Sequence, residues 1–248
     1  MASEVKANKI SPATGTAVAL GDSGDTFTVP SGATLAVAGT INSTGSSSGF
    51  DSGLASVQTF TSSGTWTRPS GITKIIVEVQ AGGGGAGGSV GASTYRGGDG
   101  GGAGGYSKKF IDVSAISSET VTIGTGGSGG SGAASGSAGG TSSFGSHCSA
   151  TGGSGGTYNG LIGPAAGVGS SGDVNLSGGQ GNCNYQYNGG GGGSSVFAGA
   201  AGGTGGSSFN GTGQDAGTNS GSGGSSGAYD GNPGGDGGAG LILVEEYK

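Results

Sequence analysis

Apolar side chains alternate over only a few short stretches of this chain, and each stretch predicts a strand. Residues 56–80 carry the clearest pattern: Ile75, Val77 and Val79 fall on one face, while Lys74, Ile76, Glu78 and Gln80 fall on the other. Phe60 and Trp66 flank a Ser-Ser-Gly turn, and Pro69-Ser70-Gly71 predicts a second turn. A further strand is expected in YSKKFIDVS, where Tyr106, Phe110 and Val113 lie near one another, and another in ETVTIG around Val121 and Ile123. Near the end, Leu241, Ile242, Leu243 and Val244 form an apolar run too short for a helix and preceded by glycine. That run predicts a strand covered on both faces.

Between these strands the periodicity changes from two to three. Glycine recurs at 82, 85, 88 and 91, at 98, 101 and 104, at 124, 127 and 130, at 221, 224 and 227, and at 231, 234, 237 and 240. A three-residue repeat belongs to the polyproline-II family, whose backbone amides and carbonyls point outward without internal partners. Such tracts must bond to neighbours, and the missing β-carbon lets them approach closely enough to do so. The expectation is a bundle of short polyglycine-II helices. Collagen, with the same period, needs an unbroken Gly-X-Y register and abundant proline, whereas this chain has 5 prolines and slips register at its Ser and Asn interruptions.

The strands bracket the tracts. One glycine excursion runs between Ala81 and Gly105 and a longer one between Gly124 and Ala239, with the last strand closing the framework. Irregular segments such as TYNG, NYQYN, SSVFAGA and AYDGNP must supply the reversals and should collect at the bundle ends. Residues 1–55 read as a separate, thin β-rich stalk segment carrying TFTVP and ATLAVAG, with a Gly/Ser hinge at 45–49; monomeric disorder is its alternative. The expected fold is therefore mostly irregular and β: a stalk at 1–55, then a β-framed glycine-rich domain at 56–248.

Composition narrows the chemistry. Glycine makes up 69 of 248 residues, the hydrophobic set is 30% and charged residues are 9%, so a large oily core is excluded; a disordered Gly/Ser linker remains the alternative after Ile123. Net charge is −6, and beyond Lys109 the only basic residue is Lys248. Phosphate-backbone binding needs clustered Lys and Arg, so no nucleic acid partner is expected, and the acids read as a solvated surface. ASEVKANK is followed by no apolar stretch, and no 18-residue apolar run occurs, so neither a secretory signal nor membrane insertion is expected. Cys148 and Cys183 read as free thiols, with a loop-stapling disulfide as the alternative.

Catalytic patterns are lacking. His147 and Cys148 are adjacent, which in extended chain points them apart, and no third group in sequence orients them. Asp230 and Asp236 are the nearest pair for glycan cleavage, but their glycine-rich flanks suggest solvated turn acids. The GGDGG segments lack the apolar position of a calcium-binding nonapeptide repeat. No enzyme activity, cofactor or metal is expected.

Recognition fits the residues better, because aromatic rings beside Asn, Ser and Gly combine rigid contact area with adaptable hydrogen bonds. The candidate binding residues are Tyr158, Asn159, Asn184, Tyr185, Tyr187, Phe197, Phe209 and Tyr229. These aromatics could equally cap the open bundle ends against water. FTSSGTWTRPSGITKIIVEVQAGGGGAGG, the later glycine tracts and the terminal GAGLILVEEY resemble the glycine-rich domain of bacteriophage tail-fibre and tail-tip proteins, over about residues 56–248. The alternation of tracts and irregular segments also resembles the distal adhesins of T-even-like phages, and ALGDSGDTFTVPSGATLAVAGTINSTG is similar to segments of marine-phage tail fibres. The chain departs from the adhesin pattern in lacking a large attachment domain at its front.

The resemblance implies a homotrimeric tail-fibre tip adhesin in the virion, joined to other tail-fibre proteins and binding a bacterial surface protein or glycan. A purely structural fibre or decoration subunit is the rival.

Overall fold

The computed structural model describes residues 53–91, 97–160, 162–183, 188–198 and 211–248, together with Thr28, Ser31, Gly32 and Thr34. The chain divides into two units, 1–48 and 49–248. In the first, Ser31 and Gly32 form a turn with Gly32 at φ 84°. The strands expected in TFTVP and ATLAVAG lie, apart from Thr28 and Thr34, outside the described residues.

The described part of the second unit carries β1 (Leu54–Phe60), β2 (Gly64–Thr67), β3 (Lys74–Gln80), β4 (Tyr106–Asp112), β5 (Ser118–Thr122), β6 (Ser142–Phe144), β7 (Cys148–Ala150), β8 (Gly169–Ser170), β9 (Val174–Leu176) and β10 (Leu241–Tyr247). They form two five-stranded sheets, β1-β10-β3-β4-β9 and β2-β5-β6-β7-β8. Every pairing is antiparallel. The last strand lies between β1 and β3, so the chain's final segment ties its two earliest long strands together.

One small core joins the sheets. The alternation in β3 places Ile75, Val77 and Val79 inward, where they join Ile111, Ile242 and Val244 against Trp66, Val121, Phe144 and Cys148. The Trp66 and Phe144 rings lie tilted with centroids 5.7 Å apart. Burial of each larger apolar side chain contributes roughly 1.5–3 kcal/mol. β10 corrects the expectation of a strand covered on both faces: Ile242, Val244 and Glu246 are buried, whereas Leu241, Leu243, Glu245 and Tyr247 are half-buried. Glu246 also departs from the solvated-acid reading. Its carboxylate accepts hydrogen bonds from Trp66 Nε1 at 2.7 Å, Gln58 Nε2 at 2.7 Å and Ser56 Oγ. A buried carboxylate persists only with such donors around it.

The glycine tracts hold no helix among the described residues, so the expected bundle of short helices is not present as helical secondary structure. The physical reason is that their amides bond across tracts, leaving no ladder of bonds within one. In tract 82–89, the amides of 82, 85 and 88 donate to carbonyls 140, 137 and 134; those of 83, 86 and 89 donate to 238, 235 and 232; those of 84 and 87 donate to 102 and 99. Its carbonyls at 82 and 85 accept from 153 and 156, those at 83 and 86 from 127 and 130, and that at 84 from 224. Each third residue returns to the same neighbour, and the tract is ringed by others on all sides. Tract 98–105 repeats the scheme, donating to 227, 224 and 221, to 157, 154 and 151, and to 182 and 179.

Close approach is what requires glycine here. A β-carbon on Gly84 would stand 2.1 Å from the Ser154 carbonyl oxygen, and one on Gly101 2.0 Å from that of Gly84. The inner tracts 81–89, 97–105 and 220–228 are buried throughout. In the outer tract 151–157 only every third residue, Thr151, Ser154 and Thr157, is exposed. The triplet therefore separates two backbone-contact positions from one solvent position.

Candidate functional site

The hydrogen-bond register decides which turns share an end. Ala81 donates to Gly105 beside the sheets, whereas 88 pairs with 134, 89 with 232, 98 with 227 and 99 with 157 at the opposite end. Turns 131–133, 158–160 and 229–231 adjoin those far residues in sequence, so they gather on the face away from the sheets. Tyr158, 39% exposed, and exposed Asn159 stand in one of these turns. Beneath them Thr157 Oγ1 donates to Asp99 Oδ2 at 2.6 Å, and Asp99 is buried. Gly160 passes so near that a β-carbon there would meet that same Oδ2 at 1.5 Å.

The second turn is bent against its own preferences. Tyr229, Asp230 and Gly231 have φ values of 27°, 67° and 74° in succession. A bulky residue in the left-handed region costs of order 1–3 kcal/mol and persists only where its surroundings enforce it. The clamp is Asn232, whose Nδ2 donates to the carbonyls of Ala228 at 2.9 Å and Tyr229 at 2.6 Å. Its backbone amide donates to Ser89 Oγ at 2.8 Å, and the Ser89 amide donates back to the Asn232 carbonyl at 2.9 Å. Tyr229 is thus held half-buried and Asp230 exposed on a turn anchored to a buried tract.

The candidate residues do not all come together. Tyr158, Asn159 and Tyr229 occupy the far face, whereas Phe197 lies at the sheet end with its ring 5.9 Å from that of Tyr106 in an edge contact. The Tyr106 hydroxyl donates to Glu78 Oε2 at 2.8 Å, and burial followed by that carboxylate holds its pKa well above the ordinary tyrosine value. Asn184, Tyr185, Tyr187 and Phe209 lie outside the described residues.

Side chains considered for catalysis are engaged structurally. His147 Nε2 is 3.1 Å from Glu119 Oε1, while Cys148 turns into the core, and burial pushes its thiol up to about 11. A thiol so neutral is a poor nucleophile, and the two neighbouring side chains point to different surroundings. Both cysteines are free. Asp236 Oδ1 accepts the Gly129 amide at 2.7 Å, and Asp215 Oδ1 accepts the Asp236 amide at 2.8 Å, so these acids serve as backbone acceptors.

Sequence reasoning did not single out Asp99 or Asn232. Asp99 could have been flagged as a carboxylate inside a triplet tract, at a register where Gly102 and Gly105 follow. The clamping role of Asn232 depends on a turn conformation that its sequence does not announce.

A model of the glycine-rich domain family matches residues 55–247, and the chain belongs to that family. No curated protein matches it.

Proposed function

We propose that this protein is a bacteriophage tail-fibre tip adhesin, in which a polyglycine-II lattice displays recognition turns to the bacterial surface. Carrying the reading is the gathering of turns 158–160 and 229–231 on one face, with aromatic and polar side chains set on a backbone network independent of them. The three-residue rotation of bonding partners, the absence of bonds within tracts among the described residues and the burial of whole inner tracts are properties expected of polyglycine-II packing. Membership of the glycine-rich family accords with it. In this reading residues 1–55 mount the domain on other tail-fibre proteins as a homotrimer, and the partner at the far face is a bacterial surface protein or glycan. Weak contacts at one tip gain strength when several tips engage together.

The mechanism is display without chemistry. Stability resides in backbone bonding and a small core, so the outward residue of each triplet and the turns are open to change without loss of the fold. The test is binding of fluorescently labelled protein to a panel of bacterial strains, read by flow cytometry. Wild type should label a subset of strains, and Tyr158→Ala with Tyr229→Ala should abolish labelling while leaving the melting temperature within a few degrees. Labelling of no strain, or labelling undiminished in the double variant, would overturn the reading and favour a structural subunit.

A further inference from the structure

The sheet end carries a surface that neither the lattice nor the far turns use. On the outer face of β1-β10-β3-β4-β9, one cross-strand row runs Val57, Glu245, Ile76, Phe110, and the next runs Leu54, Tyr247, Lys74, Asp112. Three of these apolar side chains are about half in solvent: Leu54 57%, Val57 49% and Phe110 51%. On this face, with Phe110 in its wall, lies a cavity of 360 Å³ lined by Gly53, Lys74, Ile76, Phe110, Tyr247 and Lys248. That volume falls in the range of ligand pockets, about 300–1,000 Å³.

The charges around it are unequal in their partners. Lys108 is satisfied by Glu78 at 2.8 Å, and the Tyr247 hydroxyl donates to Glu245 Oε2 at 2.8 Å. Among the described residues Lys74 and Lys248, on the rim, stand in no direct ion pair or side-chain hydrogen bond, although Lys74 lies across the strand from Asp112, whose carboxylate feels its charge. The cavity lining holds two ammonium groups and no acidic side chain, and an apolar floor beneath them complements a group that is apolar at its tip and anionic at its base.

We propose that this groove docks an acidic, apolar segment of a partner protein, inserting one large apolar side chain over Ile76 and Phe110 while a flanking carboxylate meets Lys74 and Lys248. A protein segment, and not a free small molecule, is the occupant because the groove is open on one side and the same sheet face carries the exposed Val57 and Leu54 on β1. Small ligands bury most of their surface in enclosed sites, whereas contiguous exposed apolar patches mark protein contacts. The inference stands on the sheet end alone and is independent of what the far turns recognise.

Binding is followed by amide chemical-shift titration and by fluorescence of 1-anilinonaphthalene-8-sulfonate, an apolar anion. The probe should shift the amides of Lys74, Phe110 and Tyr247. Phe110→Ala should weaken it about tenfold. Lys74→Gln with Lys248→Gln should weaken it roughly three- to tenfold and flatten its salt dependence. Lys74, Phe110 and Lys248 are exposed, so all three substitutions should leave the melting temperature unchanged. A capped Asp-Leu-Asp-Phe peptide should displace the probe at millimolar concentration, and its Asn-for-Asp counterpart should not. Shifts confined to other surfaces, indifference to the Phe110 variant, equal displacement by both peptides, or displacement by laurate but by neither peptide would each overturn the proposal.

Discussion

The sharpest consequence of the tract packing concerns a single methyl group. Gly84→Ala places a β-carbon 2.1 Å from the Ser154 carbonyl oxygen, 2.6 Å from its carbon and 3.0 Å from the Gly153 oxygen, all backbone atoms that cannot rotate aside. Tract 82–89 must then move away from tract 151–157 by more than an ångström to restore ordinary contact. Such a shift strains the bonds that Gly84 makes, 2.8 Å to Gly102 O and 3.0 Å from Gly224 N, and those joining 153 and 156 to 82 and 85. Two to four buried backbone groups left poorly paired, at about 1–3 kcal/mol each, give a loss of roughly 4–8 kcal/mol. Typical domains have only about 5–15 kcal/mol in total.

The control is Gly64→Ala on β2, where an added β-carbon meets nothing within 4 Å and the change should stay within about 1 kcal/mol. Ala86, already buried in the same tract, shows that a methyl is accepted where the lattice leaves room for it. Urea unfolding monitored by circular dichroism and by Trp66 fluorescence measures both variants. Gly84→Ala within 1 kcal/mol of wild type would refute the claim that backbone proximity dictates glycine here.

Three further outcomes are expected. Glu246→Ala orphans the donors of Trp66, Gln58 and Ser56 and should cost about 3–5 kcal/mol in urea unfolding; Trp66, as the chain's one tryptophan, reports the local change directly by its emission. Burial raises the Cys148 thiol to about 11, so its contribution is fully present below the unfolded value near 8.5 and is lost as pH rises toward 11. Thermal stability should therefore fall over that window by about 2–3 kcal/mol, Cys148→Ala should remove that component, and a thiol reagent at pH 8 should modify half-buried Cys183 well before Cys148. Tyr229→Gly relieves a left-handed aromatic at φ 27° and should raise stability by roughly 1 kcal/mol in thermal unfolding, while a loss of that size would show the strain to be absent.

Much of the framework was legible from residue order. Alternation named Ile75, Val77 and Val79 as an inward face, because a period of two reports a half-buried strand; the greasy run at 241–244 announced the closing strand but not that only one of its faces is buried. The triplet of glycines likewise implied that amides must find partners in other tracts, since residues without side chains contribute little apolar burial. What residue order alone left open was which tract meets which. Backbone bonds are alike in every tract, so partner choice comes from turn positions and strand registers that bring distant residues level with one another. Only the tertiary structure decided that Tyr158 and Tyr229 share a face while Phe197 stands at the other end, that Glu246 lies buried under Trp66, and that Asp99 sits beneath an exposed turn. Those placements depend on long-range closure, whereas the local period depends only on what a chain without β-carbons permits.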